Sequence, residues 1–315
     1  MRNGFHKLLF NWKKSRRKTL TLKIRGGLGN QLFQLLALEK LAAHSNRVPR
    51  VDIAWYNHEA NTNSDLITRR FELSNFSDEI QITESPERYL EVYKWIERIT
   101  RKTPLIGRLL FGCFFEPSDS SKIMSSKRQN INIFGYWIDG RNFPASNLKV
   151  KNQVSKYIED RSQLDMADEI FKLVGREDVA VLHIRGSDYL KFQNLFINLQ
   201  ASYYFNAIDK IEHFRKIYLT EILVLTDDVS HAQEVLKAIS KPTRQISEIL
   251  DTDHFGTLLL MSQTKNLICS NSTFSWWGAF LNSVIDAKIV FPKSYMVGAD
   301  SESVFSSIDN CEFLN

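Results

Sequence analysis

Apolar runs of strand length alternate with longer helical segments along this chain from about residue 19 onward. The alternation is clearest in the second half, where strand-like runs lie near 178–184, 221–226, 265–269 and 287–291. Helical segments near 201–216, 229–240 and 256–263 separate these runs. This order predicts an α/β protein, because a pair of consecutive parallel strands needs a crossover connection.

The first half of the chain is less regular. We predict strands near 19–25, 48–55 and 131–137, and helical character over 86–115. The most apolar part of that stretch, LIGRLLFGCFF, is interrupted by Arg108 and predicts a core or interface helix. The polar segment 116–130 predicts an exposed loop.

A chain of 315 residues is long for one hydrophobic core and suits two domains. We place the domain boundary near 150, between an N-terminal domain at 19–150 and a C-terminal domain at 151–315. Residues 1–18 form a basic leader in which Lys and Arg are interleaved with Phe, Leu and Trp. Such a leader suits either a disordered tail or contact with an anionic membrane surface.

Composition excludes several classes of protein. The net charge of +5 lies largely in the leader, and the folded part has no basic stripe with interleaved aromatics, which argues against nucleic-acid binding. No apolar stretch is long enough for a transmembrane helix. Three scattered cysteines suit a reducing cytoplasm and argue against a disulfide framework or a zinc site.

A segment rich in hydroxyls and tryptophan, SNSTFSWWG at 270–278, follows the apolar run KNLIC at 265–269. We expect a buried strand, then the hydroxyl side chains, then an apolar helix that begins near Trp276. The hydroxyls and the N–H groups of that helix N-terminus can bind an anion. The same residues also suit the N-cap of a core helix, so both interpretations stay open.

Three glycines lie in GGLGNQLFQ at 26–34, between the strand-like run TLTLKI and an Ala/Leu-rich helical segment. A strand, a glycine turn and a helix let backbone N–H groups approach a phosphate closely. One interpretation is a dinucleotide-binding turn with Gly27 and Gly29 as its first glycines and Asp52 as the ribose acid. The third glycine of that pattern is missing, and Asn30 after the glycines suits a hydrogen-bonding loop better.

His183, Arg185 and Asp188 lie within HIRGSDY at 183–189, where the strand-like run DVAVLHI ends. Ligands of parallel sheets bind beyond the carboxyl ends of the strands, so polar side chains at such an end indicate a binding site. A structural ion pair between Arg185 and Asp188 in a surface loop is the alternative.

The order and spacing of these segments resemble the family 11 glycosyltransferases, the α-1,2-fucosyltransferases. The resemblance extends from about residue 19 to about residue 295. Its specific motifs are GGLGNQxFQ and SNSTFSWWGA, which the chain has intact at 26–34 and 270–279. Weaker matches are RxFxLxxF at 69–76, a GYWQ-like segment at 135–138, HxRRGDY at 183–189, a strand ending in Asp227 and Asp228, and an APK-like segment at 291–293.

One motif departs from the family pattern. The family has a second arginine where this chain has Gly186, and a glycine where it has Ser187. Arg185 keeps the first arginine position, and in related fucosyltransferases an arginine of this motif holds the β-phosphate of the leaving GDP. The departure therefore implies either a substitute cation or a lower activity.

The resemblance implies a GT-B architecture, with two Rossmann-like domains that face each other across a cleft. It implies inverting, metal-independent transfer of L-fucose from GDP-fucose to the 2-hydroxyl of a galactoside in a surface glycan or its precursor. GDP-fucose is then the donor substrate, held mainly by the C-terminal domain, and no cofactor is needed. The expected location is the cytoplasm, with the leader as a candidate for peripheral contact with the inner face of the membrane.

The chemistry of a leaving diphosphate assigns roles to these side chains. We expect Arg185 to meet the developing negative charge together with a helix N-terminus and its hydroxyls. Asp227 or Asp228 would accept the N–H groups of guanine, or would cap a helix instead. Asp188 is the nominated base for the acceptor hydroxyl. The expected catalytic residues are Arg185 and Asp188, and the expected donor-binding residues are Gly27, Gly29, Asn30, His183, Arg185, Asp227, Asp228, Ser272, Thr273, Phe274 and Ser275.

Asp251 and Asp253 form a DxD pattern of the kind found in metal-dependent sugar transferases. No clear co-ligand accompanies them except His254, so we expect no metal. Three functions compete at this point: a fucosyltransferase, a glycosyltransferase with another nucleotide-sugar donor, and a non-catalytic nucleotide- or sugar-binding module that has kept the fold. Gly186 is the one feature that favours the third.

Overall fold

The structure is a computed structural model of the chain, and it divides into two compact units, Met1–Ile138 and Asp139–Asn315. The division falls a little before the boundary near 150 that the sequence predicts. The residues that the structure describes are 17–58, 69–115, 120–140, 147–166, 168–246, 253–305, 308 and 311–314. Residues 1–16 of the leader, and Asp251 of the DxD pattern, lie outside these ranges.

The first unit is built around a parallel sheet whose described strands have the order β3-β2-β1-β5-β4. The strands are β1 (Thr19–Lys23), β2 (Val48–Asp52), β3 (Gln81–Thr83), β4 (Cys113–Phe115) and β5 (Asn130–Phe134). The helices are α1 (Leu28–Ser45), α2 (Ala54–His58), α3 (Leu90–Lys102), α4 (Pro104–Ile106) and α5 (Ser120–Ser125), with a 3-10 turn at Glu87–Tyr89 and a π-helical turn at Gly107–Phe111.

The second unit contains a parallel sheet with the described strand order β13-β10-β9-β6-β7-β8. These strands are β6 (Val179–Ile184), β7 (Glu221–Thr226), β8 (Thr243–Gln245), β9 (Asn266–Ile268), β10 (Lys288–Pro292) and β13 (Cys311–Leu314), and a small antiparallel pair is formed by β11 (Ser294–Met296) and β12 (Ala299–Asp300). The helices are α6 (Leu148–Glu159), α7 (Glu169–Val174), α8 (Ser187–Lys191), α9 (Ala201–Arg215), α10 (Val229–Leu236), α11 (His254–Ser262), α12 (Thr273–Leu281) and α13 (Ser301–Phe305).

The strand order of the second unit reverses its direction at one position. From β6 the chain proceeds outward through β7 and β8, and it then returns to place β9 on the other side of β6. The switch point of the sheet therefore lies between β6 and β9. In open α/β sheets, ligands bind at the carboxyl ends of the strands at such a point.

Burial explains why β6 forms at the centre of this sheet. Every residue of VAVLHI in β6 is buried, as expected for a strand covered by helices on both faces. Helix α9 packs on the sheet through Tyr203, Tyr204, Ala207 and Ile211, which follow helical spacing. The predicted α/β class with parallel sheets is thus confirmed.

Most predicted elements of the second half are present with ends shifted by a few residues. The helix after the hydroxyl-rich segment begins earlier than predicted, at Thr273 rather than near Trp276, because the side chain of Ser272 caps its N-terminus. The predicted loop at 116–130 contains helix α5, in which Ile123 is fully buried.

The segment at 104–111 differs more from its prediction. It is helical, but Leu105, Leu109 and Leu110 are exposed, and in this segment only Gly107 is buried. It is therefore not a core helix. Among the described residues, none of the helices combines the length and the apolar character that crossing a bilayer requires.

Candidate functional site

A buried histidine and two serines connect the strands on both sides of the switch point. His183 lies near the end of β6, and its Nδ1 is 2.5 Å from the Ser275 Oγ and 3.1 Å from the Ser270 Oγ. The Ser275 hydroxyl also accepts the backbone N–H of Ser270 at 3.1 Å. This cluster ties the end of β6 to the loop that follows β9 and to the first turn of α12.

Burial keeps the His183 imidazole neutral. Desolvation lowers the pKa of His183 to about 4, and nearby Arg185 acts in the same direction, while Asp227 opposes it. At neutral pH the ring therefore carries no charge. A Ser275 hydroxyl that donates to Nδ1 leaves the ring proton on Nε2. His183 thus positions Ser270 and Ser275 through hydrogen bonds, and the nearby cation is Arg185.

The N-terminus of α12 lies next to this cluster. The Ser272 hydroxyl accepts the backbone N–H of Ser275 at 3.0 Å, so it forms the N-cap. The Phe274 ring lies 5.8 Å from the His183 ring and 6.3 Å from the His254 ring, measured between centroids. The N-terminal N–H groups and the positive end of the helix dipole make such a position attractive to an anion.

The sequence predicts a donor contact for the Ser275 hydroxyl, but the structure gives it another task. Ser275 is fully buried, and its hydroxyl is engaged with His183 and Ser270. Its side chain therefore acts on any ligand through the histidine. Ser272 and Thr273 remain at the end of the helix, where the backbone N–H groups of the first turn begin.

Arg185 follows β6 and forms an ion pair with Asp227, which follows the neighbouring strand β7. The Arg185 Nη1 is 2.6 Å from the Asp227 Oδ2, and both side chains are partly buried. The other carboxylate oxygen of Asp227 accepts the backbone N–H of Gly186 at 2.9 Å. One carboxylate thus fixes both the guanidinium and the backbone beside it.

Asp228 is used by the backbone of its surroundings. Its Oδ1 accepts the N–H of His231 at 3.0 Å and caps helix α10, while its Oδ2 accepts the N–H of Ser187 at 3.1 Å. The interpretation of this acid as a helix cap therefore describes its observed contacts. Asp227 and Asp228 together hold the 185–187 loop against the end of β7.

The small space beside residue 186 requires a glycine at this position. It does not have positive φ, yet a β-carbon at this position would lie 2.5 Å from the Asp228 Cβ. No real β-carbon contact is that short, so either backbone must move to accept a side chain. The positive φ of the loop falls instead on Ser187, at 36°. The family arginine at 186 would not fit this local backbone.

Asp188 lies in the short helix α8, directly after this loop. Its neighbour Tyr189 donates its hydroxyl to the carbonyl of Asn271 at 2.9 Å and stacks on Phe196 with ring centroids 4.1 Å apart. The Asn271 amide donates to the carbonyls of Ile197 and Tyr295. Tyr189 and Asn271 thus connect α8 to the loop after β9, a role that the sequence analysis missed.

The glycine loop of the first unit lies at the switch point of its own sheet, between β1 and β5. Gly26 has φ of +89°, and Gly27 precedes the first residue of α1. The predicted donor residues Gly29 and Asn30 fall in the first turn of that helix. A helix N-terminus after a glycine turn keeps the predicted phosphate-approach geometry.

Two buried glutamines of the motif hold this loop. The Gln31 amide donates to the carbonyls of Gly26 and Arg70, at 3.0 and 2.8 Å, and its oxygen accepts the N–H of Glu72 at 2.9 Å. Gln34 donates to the carbonyl of Arg25 at 2.7 Å. These structural roles are absent from the sequence-based predictions, although uncharged amides in an apolar helix indicate them.

The dinucleotide interpretation loses its ribose acid. The Asp52 carboxylate is buried and contacts Lys23 and the Ser85 hydroxyl. It also accepts the N–H groups of Ala54 and Ser85, at 3.1 and 3.0 Å. Burial alone raises the pKa of Asp52, but the Lys23 charge and the hydrogen bonds from Lys23 and Ser85 together lower it. This carboxylate stabilises the fold.

Asp253 of the DxD pattern has structural partners as well. Its carboxylate caps α11 by accepting the Gly256 N–H at 2.7 Å, and it accepts the Gln163 N–H at 2.7 Å. Within the described ranges, no group of three or more His, Cys, Asp or Glu side chains is arranged to hold a metal ion. Asp251 is not among the residues described.

More than half of the chain matches a known protein family. The family described as Glycosyl transferase family 11 matches residues 117–303. The O-antigen biosynthesis glycosyltransferase WbnK of Escherichia coli is 27% identical over 300 residues, which cover 87% of this chain and 94% of that protein. An alpha-1,2-colitosyltransferase of Escherichia coli is 24% identical over 268 residues, which cover 83% of this chain and 87% of that protein.

Solved structures also align with the chain. NodZ alpha-1,6-fucosyltransferase soaked with GDP-fucose aligns with a TM-score of 0.46 and 13% identity, over 84% of this chain and 93% of that one. A mutant of Arabidopsis thaliana FUT1 in complex with GDP aligns with a TM-score of 0.42 and 14% identity, over 89% of this chain and 73% of that one.

The contact between Gly186 and Asp228 yields a stability prediction. Gly186→Ala should lower the free energy of unfolding by about 2–3 kcal/mol, because the new methyl group overlaps the Asp228 side chain. Gly186→Arg should cost at least as much. The measurement is chemical denaturation of each variant beside Gly175→Ala, whose β-carbon would meet only ordinary contacts, 3.4 Å or longer. Equal stability of Gly186→Ala and Gly175→Ala would show that the loop accepts a side chain at 186.

Proposed function

The chain belongs to glycosyl transferase family 11 and is a glycosyltransferase, and from that membership we propose that it is an inverting, metal-independent α-1,2-fucosyltransferase. It transfers L-fucose from GDP-fucose to the 2-hydroxyl of a galactoside in a surface glycan or its precursor. The relative named for O-antigen biosynthesis supports an acceptor of this class.

The position of Arg185 carries the proposal. Arg185 follows β6 at the switch point of the second sheet, and the N-terminus of α12 follows the neighbouring strand β9 at the same edge. A planar guanidinium and a helix N-terminus both favour phosphate oxygens. They supply positive charge and fixed donors where a leaving diphosphate would develop its negative charge, and they need no metal for that task.

Asp227 acts as a positioning residue in this proposal. Its ion pair restrains the guanidinium of Arg185 before the donor arrives, so less side-chain entropy is lost when the diphosphate binds. Each carboxylate oxygen accepts more than one hydrogen bond, so either Asp227 or Asp228 can also accept the N–H groups of guanine. Asp228 contributes through the loop that it holds.

The remaining expected residues keep their proposed roles. His183 contacts the base or ribose as a neutral imidazole, and Phe274 covers it. Asp188, in the helix that follows the Arg185 loop, accepts the proton of the acceptor hydroxyl. Gly27, Gly29 and Asn30 of the first unit offer backbone N–H groups at the start of α1.

Transfer of another deoxysugar is the second candidate. The relative named as an alpha-1,2-colitosyltransferase supports it, since that name has the same 1,2 linkage as the proposed fucosyltransferase. The non-catalytic alternative loses its one argument, because Gly186 has a structural reason in its contact with Asp228. We place the enzyme in the cytoplasm, because the three cysteines carry free thiols.

A donor panel tests the proposed function. The purified full-length chain is given GDP-fucose, a GDP-linked colitosyl donor, GDP-mannose or UDP-galactose with a galactoside acceptor, in excess chelator. We expect product only with GDP-linked deoxysugars, most rapidly from GDP-fucose, and unchanged rates in the chelator. Faster transfer from the colitosyl donor would favour the second candidate. Activity that chelator abolishes and manganese restores would contradict metal independence.

Arg185→Lys tests the role of the guanidinium. The ammonium keeps the charge but loses the bidentate fork, so turnover should fall by about a hundredfold, the scale of losing one preorganised donor to developing charge. The matched control is Arg176→Lys, which alters an exposed Arg–Asp pair elsewhere in the unit. Turnover near that of the wild type in Arg185→Lys, with the same melting temperature, would remove Arg185 from the catalytic machinery.

A further inference from the structure

The first unit exposes apolar side chains on two consecutive helical segments. Val92 and Trp95 lie on α3, and Leu105, Ile106, Leu109 and Leu110 lie on the segment 104–111. These six side chains, which we call the exposed apolar face, are between 43% and 68% exposed. Single exposed leucines are normal in proteins, but contiguous apolar surfaces of this kind mark binding sites.

The six side chains follow helical spacing. Leu105 and Leu109 are four residues apart, as are Ile106 and Leu110, so they form two adjacent rows on one side of the segment. On α3, Thr100 is buried and the Tyr93 ring lies 3.5 Å below the Lys23 ammonium, which fixes the opposite side of that helix against the unit.

Specific contacts hold the two helical segments together. A β-carbon on Gly107 would lie 2.3 Å from the Thr100 hydroxyl oxygen, so the glycine permits direct contact between the segments. The Trp95 and Phe111 rings meet edge to face, with centroids 5.8 Å apart. The exposed apolar face therefore lies on two helical segments that pack against each other.

Positive charge accompanies these apolar side chains. The sequence 98–111 contains Arg98, Arg101, Lys102 and Arg108 and has no acidic residue. The Arg128 guanidinium donates to the carbonyl of Leu109 and adds a further exposed cation at the same place. Glu97, just before this stretch, is engaged by Arg25 and Arg101.

We propose that the exposed apolar face and its flanking cations dock this protein on an anionic lipid membrane. Exposed leucines and a tryptophan among lysines and arginines suit the boundary between acyl chains and negatively charged headgroups. A second copy of the chain fits less well, since a two-fold contact would bring the same cations together. The cation-rich leader at 1–18 is, from its sequence, a second candidate for contact with the same anionic surface.

The test is binding of the full-length chain to vesicles. Sedimentation with vesicles of equal parts phosphatidylcholine and phosphatidylglycerol should carry the protein down, whereas phosphatidylcholine vesicles should not. Leu109→Glu combined with Leu110→Glu should weaken binding by about tenfold or more, because charges enter the apolar boundary. The matched control is Leu148→Glu combined with Ile285→Glu, two exposed apolar positions of the second unit, which should leave binding unchanged.

Charge removal provides an independent variant. Arg98→Gln combined with Lys102→Gln should weaken binding by about fivefold for each charge removed.

Tryptophan emission should shift to the blue on binding, and Trp95→Phe should remove more of the shift than Trp12→Phe in the leader. The proposal is wrong if Leu109→Glu with Leu110→Glu binds like the wild type while neutral variants of the leader lose binding. It is also wrong if those leucine changes convert a dimer to a monomer without affecting vesicle binding.

Discussion

The hydrogen bond between His183 and Ser275 joins the two sides of the switch point, and the arrangement of the candidate site depends on it. It connects the carboxyl end of β6 to the first turn of α12, which follows the adjacent strand β9. Burial keeps the imidazole neutral, so the bond forms without the cost of a buried charge. With this contact in place, Arg185 and the N-terminus of α12 lie at the same edge of the sheet.

The acids after β7 complete the arrangement from the other side. Asp227 holds the guanidinium of Arg185 and the N–H of Gly186, and Asp228 holds the N–H of Ser187 and caps α10. The loop between β6 and α8 is therefore specified by two carboxylates. The Asp228 side chain lies so close to Gly186 that this local backbone leaves no room for a β-carbon at position 186.

Local sequence patterns predicted the fold well and the partners of individual side chains poorly. The buried run of β6 and the helical spacing of α9 are properties of neighbouring residues, so strands, helices and the α/β class follow from them. Ser275 and His183 are 92 positions apart, and nothing near either residue indicates that they bond. The exposure of Leu105 and Leu109 could not be predicted either, because an apolar helix has the same sequence pattern whether or not another element covers it.

Hydrogen exchange of backbone amides measures the central claim directly, namely that the switch point of the second sheet binds the nucleotide diphosphate of the donor. Adding saturating GDP to the full-length chain should slow exchange about tenfold or more in peptides that contain 184–188 and 271–275, because binding suppresses local opening at the loop and the helix start. Peptides from 98–111 should be unchanged. Protection confined to the glycine loop of the first unit, or absent from both segments of the second, would contradict the account.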